Sequence, residues 1–435
     1  MADQRLSSPP KVLIVVYDFP PEIGGGGVMR TVKFVKYLRE SGWQPVVLTV
    51  ARRDTLMPDP GLLLELGDTP VYRCPDWISR FNTGGSDGQT GGNLAGNWRN
   101  RFLAGFKELI KGALIPDRRA GWLLPALLLG RRVVKREGIA VIYATAPPQT
   151  PLLVGYLLSL FTTRPLVVDY RDAWGGNNLF RSRLGLKNAL NGWLERRVLG
   201  KAALAVATTP ALLALLRQFT SRTSLIYNGF DPEDFIGLSP RRLDNGKVNL
   251  VYLGGFDGYR TAGPLARALA FLDTDERARL ALHVIGPVSS RERALFDGLP
   301  GVEINLVGTL PHRQALEYLL SAQALLVVIF PEEDSDRAIP GKIYEYLATG
   351  KPILALCEKQ SALGLLLNDL GVGTIVPPKD VTQIAAALKA LATDSRPGAE
   401  QPQAPAIADL SLFDRQQNAR RLADHFEGAC SSHEP

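Results

Sequence analysis

The sequence predicts an α/β protein of two domains, and three observations lead to this fold class. The chain has 435 residues, which is too long for one ordinary hydrophobic core. Short apolar runs alternate with helix-length amphipathic stretches along the whole chain, as in parallel α/β layers. A polar stretch at 231–247 interrupts this alternation, which then begins again. Each half is therefore expected to form its own parallel sheet.

The first half, placed at 1–232, contains six strand candidates. They read KVLIVVY, PVVLTV, IAVIYAT, PLVVDY, LAVAT and SLIYN. The first strand is followed by FPPEIGGGG and then by a predicted helix. Apolar residues recur at helical spacing in this helix from Val28 to Leu38, and Gly42 ends it. The glycine-rich stretch at about 83–97 has little to pack and is expected to be a mobile loop.

The second half, placed at 246–395, repeats the pattern. Its strand candidates read VNLVYLGG, LALHVIG, VEINLVG, ALLVVIF, PILALC and GTIVP. A linker, SRPGAEQPQAP, separates it from a last helix, expected from Phe413 to Phe426 within a terminal segment at 408–428. Because a linker separates this helix from its own domain, we expect it to pack back on the first domain.

Composition excludes several classes of protein. The three cysteines have no Cys-x-x-Cys spacing, which argues against a disulfide framework and indicates a reducing compartment. The four histidines form no metal-binding cluster, so no metal is expected. Residues 99–136 hold ten basic and two acidic side chains, more net positive charge than the +7 of the whole chain. The positive charge is therefore local, and the remainder resembles an ordinary globular enzyme.

This basic segment is amphipathic. In RFLAGFKELIKGAL the residues Phe102 and Phe106 lie on one helical face, and Lys107 and Lys111 lie elsewhere. Further along the segment are Arg118, Arg119 and Trp122. We expect these seven residues to contact an anionic membrane surface or a membrane-borne acceptor. The alternative is a core-packed helix with a solvated basic side, and nucleic acid is disfavoured because no nucleic-acid-binding motif accompanies the charge.

A spanning helix is not expected. Residues 138–163 carry no charge, but three prolines interrupt them and would break a helix within the bilayer. A strand, a proline-rich loop and a helix explain this stretch better. The amino terminus lacks a signal-peptide pattern, which favours a cytoplasmic protein.

Three stretches follow predicted strands, where open α/β sheets bind ligands. Gly24–Gly27 would let backbone approach a phosphate or sugar, although such a run is also typical of a flexible turn. It is not a GxGxxG motif, and no acidic residue ends the second strand, so a nicotinamide site is disfavoured. The stretch YLGGFDGYR, with Gly255 and Arg260, would suit a diphosphate.

The third stretch reads IPGKIYEYLATGKPILAL. The amides of Gly341, Lys342 and Ile343, together with the Lys342 charge, would form an anion cradle at the start of a helix. Glu345 lies on the same helical face as Lys342, where its carboxylate would accept two ribose hydroxyls. The alternative is a surface ion pair between these two side chains.

Four blocks in order carry a family resemblance. They are PPEIGGGGVMRTVKFVKYLRESGWQPVVLT, YATAPPQTPLLVGYLLSLFTTRPLVVDYRDAW, IYNGFDPEDF and PGKIYEYLATGKPILAL. Together they resemble glycosyltransferase family 4, in particular the bacterial enzymes of exopolysaccharide and O-antigen assembly. The resemblance covers nearly the whole chain. It implies the retaining GT-B architecture, in which two Rossmann-like domains face each other and the C-terminal helix packs on the first.

The resemblance also implies roles for individual residues. Gly25 and Gly26 fall in the family's glycine loop, which faces the donor diphosphate and the acceptor. Arg260 falls at a basic donor-phosphate position, Leu310 where the backbone meets the nucleobase, and Glu345 at the ribose-associated glutamate of an E-x7-E element. This sequence departs from the family in having Arg337 where another glutamate is common. It also offers Arg171 and Asp172 where many members carry a histidine.

The expected function is therefore a retaining, metal-independent hexosyl- or N-acetylhexosaminyltransferase without a cofactor. It would move a sugar from a nucleotide-diphosphate donor, expected to be a UDP-sugar, to a lipid-linked saccharide or polysaccharide at the inner face of the cytoplasmic membrane. The proposed catalytic groups, which would stabilise the leaving diphosphate or hold the sugar and acceptor, are Arg171, Asp172, Arg260 and Lys342. A sugar-nucleotide epimerase and a degenerate partner subunit remain as alternatives, the second because of Arg337.

Overall fold

The computed structural model describes residues 9–21, 26–51, 60–78, 114–174, 185–243, 246–257, 260–299, 301–330, 336–394 and 410–432. The chain divides into two compact units. One comprises Met1–Tyr227 and Arg415–Pro435, and the other comprises Asn228–Asp414. The expected loop at 83–97 and the first part of the basic segment, 99–113, lie outside the described residues.

The first unit contains a seven-stranded, wholly parallel sheet in the order β3-β2-β1-β4-β5-β6-β7. Its strands are β1 (Lys11–Val15), β2 (Gln44–Val50), β3 (Val71–Cys74), β4 (Val141–Ala146), β5 (Leu166–Tyr170), β6 (Leu204–Ala207) and β7 (Thr223–Leu225). Its described helices up to β7 are α1 (Gly26–Glu40), α2 (Pro60–Leu66), α3 (Leu123–Glu137), α4 (Thr150–Thr162), α5 (Gly185–Lys201) and α6 (Pro210–Leu216).

Helices cover both faces of this sheet. Leu13 and Val15 of β1 belong to one hydrophobic cluster, and Val12 and Ile14 belong to the other. Because both faces are buried, the central strands are continuous apolar runs, the feature from which the sequence predicted them. Asp169 in β5 is a buried carboxylate within one of these otherwise apolar strands.

The second unit repeats the plan with a six-stranded parallel sheet in the order β10-β9-β8-β11-β12-β13. The strands are β8 (Val248–Leu253), β9 (Leu280–Ile285), β10 (Glu303–Leu306), β11 (Ala324–Val328), β12 (Ile353–Leu356) and β13 (Thr374–Val376). The helices are α7 (Gly263–Phe271), α8 (Thr274–Ala278), α9 (Ser290–Ala294), α10 (His312–Ser321), α11 (Lys342–Thr349), α12 (Ala362–Asp369) and α13 (Val381–Asp394). The two parallel-sheet, Rossmann-like domains confirm the predicted fold class.

The C-terminal helix α14 (Arg415–Ser431) packs on the first unit, as predicted. Its ring of Phe426 meets the ring edges of Trp43 and Tyr143, with centroids 5.2 Å and 5.9 Å away. The helix begins later than expected because residues 411–413 form a 3-10 turn in the second unit, where Phe413 is buried against Tyr344.

The strand order reverses direction between β1 and β4 in the first sheet and between β8 and β11 in the second. At such a point neighbouring connections leave the sheet toward opposite faces, and a crevice forms at the carboxyl ends of the strands. The loops at these two edges are therefore where each unit is expected to bind ligands. Within the described parts of the chain, no helix combines the length and apolarity that crossing a bilayer requires.

Candidate functional site

Lys342 lies at the carboxyl edge of the second sheet, next to the point where the strand order reverses. It is the first residue of α11, and its Nζ is 4.2 Å above the centroid of the Tyr252 ring. A Cβ on Gly254 would come within 2.7 Å of this Nζ, so the glycine makes room for the ammonium group. The Lys342 charge is thereby held over the end of β8, as the anion-site prediction requires.

The helix that carries Lys342 is fixed to the sheet by Tyr346. The buried Tyr346 hydroxyl accepts a hydrogen bond from the Leu253 amide at 2.9 Å and donates one to the Leu326 carbonyl at 3.0 Å. These two backbone groups belong to β8 and the neighbouring β11. Burial raises the pKa of Tyr346, so the hydroxyl keeps its proton and can donate. Tyr346 therefore sets the position of α11 at the sheet edge.

The predicted anion cradle is wrong at one of its three amides. The Ile343 amide donates to the Pro340 carbonyl at 3.1 Å, and the Ile343 side chain is fully buried. The amide is used in the first turn of the helix instead of pointing at a ligand. Gly341 has helical backbone angles and leads directly into Lys342. Of the three predicted amides, those of Gly341 and Lys342 remain as candidates for binding an anion.

Gly255 lies in a tight backbone contact between two loops at the same edge. A Cβ on Gly255 would lie 2.5 Å from the Pro287 carbonyl oxygen, and one on Gly286 would lie 2.5 Å from the Gly254 carbonyl oxygen. The Phe256 amide donates to Pro287 and the Ser289 amide donates to Phe256, both at 2.9 Å. The loops after β8 and β9 are therefore joined backbone to backbone, which only glycine permits.

We expect Gly255→Ala to lower the melting temperature of the protein, because the new methyl group would push the Pro287 backbone away. Forcing atoms into a packed site costs about 1–3 kcal/mol. Gly298→Ala is the matched control, since a Cβ there meets no atom within 4 Å. Thermal unfolding of the two variants beside the wild type measures the effect. Equal melting temperatures for both variants would show that the two loops can separate freely.

Arg260 follows the same glycine loop, and a buried carboxylate binds the two residues after it. Glu292 accepts hydrogen bonds from the Thr261 hydroxyl at 3.0 Å and from the Ala262 amide at 2.6 Å. These bonds anchor the start of α7 immediately after Arg260, which is half-buried. The structure thus places Arg260 on an anchored segment, and the sequence reasoning missed the anchoring residue Glu292.

Glu345 has a partner that the sequence reasoning also missed. His312 Nε2 lies 2.8 Å from Glu345 Oε1, and both side chains are partly exposed. His312 begins α10, two residues after Leu310, so this contact brings the expected nucleobase and ribose positions together. The side chain that Glu345 contacts is His312, whereas the alternative interpretation expected an ion pair with Lys342. A histidine directly after the Leu-Pro at a predicted helix start was the available signal.

In the first unit the carboxyl edge is organised by a buried ion pair. Arg30 of α1 binds both oxygens of Asp169, with its Nε 3.1 Å from Oδ2 and its Nη2 2.8 Å from Oδ1. Thr145 also donates to Oδ2, at 2.9 Å. Burial alone would raise the pKa of Asp169, but the charge and hydrogen bonds of Arg30 outweigh it, and the pKa is lowered. The carboxylate is therefore ionised and paired.

The same guanidinium ties α1 to the end of the sheet. Arg30 donates to the carbonyls of Tyr227 at 2.8 Å and Ile226 at 3.1 Å. Neither Arg30 nor Asp169 was singled out from the sequence. Their signal was a charged residue within an apolar pattern in each case: an aspartate in LVVDY and an arginine between apolar positions of α1.

Arg171 lies beside this pair and contacts the first turn of α1. Its Nε donates to the Ala146 carbonyl at 3.1 Å and its Nη2 donates to the Pro147 carbonyl. A Cβ on Gly27 would overlap the Arg171 Nη1, so the glycine is what admits the guanidinium. Of the predicted glycine loop, Gly25 lies outside the described residues, and Gly26 is the first residue of α1.

Asp172 follows Arg171 and is also partly buried. Burial raises the pKa of Asp172 despite the opposing charge of Arg171. Burial lowers the pKa of Arg171, and the neighbouring Asp169 and Asp172 oppose this. Gly27 and the Arg171 guanidinium thus lie in contact at the carboxyl edge of the first sheet, and Asp172 follows Arg171 there. Such a set can donate to and accept from the hydroxyls of a sugar.

Of the seven residues expected to contact a membrane, the structure describes Arg118, Arg119 and Trp122. Phe102, Phe106, Lys107 and Lys111 lie outside the described residues. Arg118 is exposed, and the Arg119 guanidinium lies 5.0 Å from the centroid of the Tyr17 ring. The expectation for Trp122 is wrong. Its side chain is 0% exposed and packs edge-on against Tyr17 in the core, so it is not available to lipid.

Comparison with solved structures shows what this fold is similar to. The Anabaena protein Alr3699/HepE in complex with UDP and glucose is 17% identical, with a TM-score of 0.55 over 97% of this chain and 98% of that chain. The lipopolysaccharide outer core galactosyltransferase WaaB is 12% identical, with a TM-score of 0.58 over 97% of this chain and 99% of that chain. A putative UDP-N-acetylglucosamine 2-epimerase from Listeria monocytogenes is 12% identical, with a TM-score of 0.54 over 96% and 95%.

At these identities the similarity concerns the fold, which transferases and an epimerase share. A search of curated protein sequences gives no significant match. Family models, in contrast, match both halves of the chain. Glycosyltransferase Family 4 matches residues 24–234, and Glycosyl transferases group 1 matches residues 247–394. Together the two matches extend over most of the chain and include both site regions described above. The chain therefore belongs to the glycosyltransferases, with a Glycosyltransferase Family 4 domain in its first half and a Glycosyl transferases group 1 domain in its second.

Proposed function

We propose that this protein is a retaining, metal-independent glycosyltransferase that uses a UDP-sugar. The sugar transferred is a hexose or an N-acetylhexosamine, and the acceptor is a lipid-linked saccharide or polysaccharide of the bacterial cell surface. The observation that carries this proposal is the Lys342 ammonium, held over the end of β8 beside the Gly254–Gly255 loop. Glu345 lies on the same helix as Lys342, and its contact with His312 of α10 supports a binding position there for the nucleoside of the donor.

In the proposed reaction the bond between the anomeric carbon and the diphosphate oxygen breaks, and the acceptor oxygen bonds to that carbon. Negative charge grows on the leaving diphosphate, so Lys342 and Arg260 stabilise the transition state more than the ground state. The acceptor proton passes to an oxygen of the leaving diphosphate. Arg171 and Asp172 hold the sugar or the acceptor hydroxyl in this proposal.

Nucleotide binding is the first test of this proposal. We expect UDP to raise the melting temperature of the protein more than the diphosphates of the other bases do. A ligand present at 100 times its dissociation constant stabilises the folded state by about 2.7 kcal/mol. If no nucleoside diphosphate changes the melting temperature, the assignment of the donor site is wrong.

Product analysis separates the transferase from the alternatives. Incubation with UDP-sugars and an acceptor extract should release UDP, with the sugar in a new product. An epimerase would instead return a different UDP-sugar, and a degenerate partner subunit would bind UDP without turnover. The half-buried Arg337 is the feature that favours the degenerate alternative.

A further inference from the structure

Helix α5 exposes apolar side chains on its solvent side. Leu186 is 83% exposed, Leu190 38% and Trp193 49%. Their spacing of four and then three residues places them in one stripe along the helix. The opposite side is apolar as well, with Val198 and Leu199 in the core. A helix that only packed against its own sheet would place polar side chains where this stripe lies.

The charges around the stripe have one sign. Arg196 and Arg197 continue the exposed side toward the end of the helix, and the Arg197 guanidinium lies 5.2 Å from the centroid of the Trp193 ring. The acidic residue of α5, Glu195, is only 4% exposed. The solvent side of α5 is therefore apolar and positively charged, without an exposed carboxylate.

The start of the helix lies beside further positive charge. Asn191 of α5 donates to the Pro116 carbonyl at 3.3 Å, which brings the loop before α3 next to the helix. Asp117 in that loop caps α4, accepting from the Gln149 and Thr150 amides at 2.6 Å and 2.8 Å, and so fixes the loop. The exposed Arg118 follows in this loop. Burial lowers the pKa of Lys187 of α5, and the opposite charges of Asp117 and Arg118 both act on it.

The end of the neighbouring helix α4 also combines exposed apolar side chains with a nearby arginine, which belongs to α3. Leu160 and Phe161 are exposed at its end, and the Arg131 guanidinium lies 4.9 Å from the Phe161 ring centroid. Aromatic and aliphatic side chains flanked by arginines are typical of helices that lie in the interface of a bilayer.

From this stripe and its charges we infer that α5 docks on an anionic lipid surface, with Leu186, Leu190 and Trp193 entering the headgroup region. The basic side chains bind the lipid phosphates. A symmetric contact between two copies would place the basic residues of α5 against one another, which disfavours a second copy as the occupant. The inference rests on the proposed lipid-linked acceptor, which such docking would bring to the first unit.

Sedimentation with vesicles tests this docking surface. We expect the wild type to bind vesicles of phosphatidylcholine and phosphatidylglycerol, to bind vesicles of phosphatidylcholine alone less, and to be released by salt. The triple variant Leu186→Ser, Leu190→Ser and Trp193→Ser should lose about 10-fold or more in partitioning. The variant Arg196→Glu and Arg197→Glu should lose a similar factor for the anionic vesicles.

Matched controls lie on exposed parts of the second unit. Arg291→Glu with Arg293→Glu changes the net charge equally, and Phe271→Ser removes an exposed aromatic ring. Both should bind vesicles like the wild type. Binding that is unchanged in the α5 variants, or reduced as much in the controls, would overturn the inference. Self-association that depends on α5, without vesicle binding, would also overturn it in favour of a contact between copies.

Nucleotide binding keeps this test separate from the proposed function. Every α5 variant should retain the thermal shift that UDP produces in the wild type, because these residues lie in the other unit from Lys342. This shift also shows that the variants are folded. Vesicle binding through α5 without any response to UDP would contradict the donor assignment and leave the docking surface standing.

Discussion

Lys342→Ala is expected to lower turnover by about 10²-fold or more, the scale for losing one preorganised group that stabilises developing charge. The Lys342 ammonium is positioned by Tyr252, Gly254 and the anchoring of α11, so its charge is held in place before the reaction begins. The loss should appear mainly in the turnover number, because the charge on the leaving diphosphate is greatest in the transition state.

The measurement is steady-state UDP release over a range of donor concentrations. Lys359→Ala removes an exposed lysine from the same unit and should leave turnover unchanged. Lys342→Arg should recover part of the activity, since it keeps the charge but changes its geometry. Turnover close to the wild type in Lys342→Ala would refute the role of this residue at the diphosphate.

Asp169→Asn is expected to be a strongly destabilising exchange in the first unit. It would leave the buried Arg30 guanidinium without its counterion, and breaking a buried pair from one side costs about 3–5 kcal/mol. For a unit of this size, we expect the melting temperature to fall on the order of 10 °C. Asp68→Asn is the control, because Asp68 is fully exposed in its pair with Arg39 and such pairs contribute about 0–1 kcal/mol.

The effect of Asp169 should depend on pH in a defined direction. The folded state lowers the pKa of Asp169, so its ionised form stabilises the fold above the ordinary range of an aspartate. This contribution is lost as the pH falls through the lowered pKa. The difference in melting temperature between the wild type and Asp169→Asn should be complete at neutral pH and shrink in acid. A difference that grows on acidification, or one no larger than that of Asp68→Asn, would contradict the buried pair.

Much of the fold was predictable because its determinants are local. The period of apolar residues identifies the buried strands, and the polar stretch at 231–247 falls close to the observed division between Tyr227 and Asn228. Glycines at strand ends indicate loops where backbone approaches backbone, as at Gly255 against Pro287. The start of the helix at Lys342 followed from the Pro-Gly turn before it.

The candidate site was predictable only in part, since its contacts join residues that are distant in the chain. His312 meets Glu345 across 33 positions, and Arg30 meets Asp169 across 139. A sequence pattern shows that a charge lies among apolar residues, but it does not show which partner satisfies that charge. The sequence likewise does not show that the Ile343 amide is used in a turn, where it donates to the Pro340 carbonyl.

By itself, the sequence determined the α/β class, the two sheets, the family and the glycine and lysine positions at the strand ends. Only the tertiary structure decided which side of each element faces solvent. Trp122 looked like a membrane anchor but lies in the core, whereas the stripe of Leu186, Leu190 and Trp193 on α5 faces outward. The reason is physical: apolar residues on both sides of a helix give no directional period, so the burial of one side depends on which helices and strands pack against it.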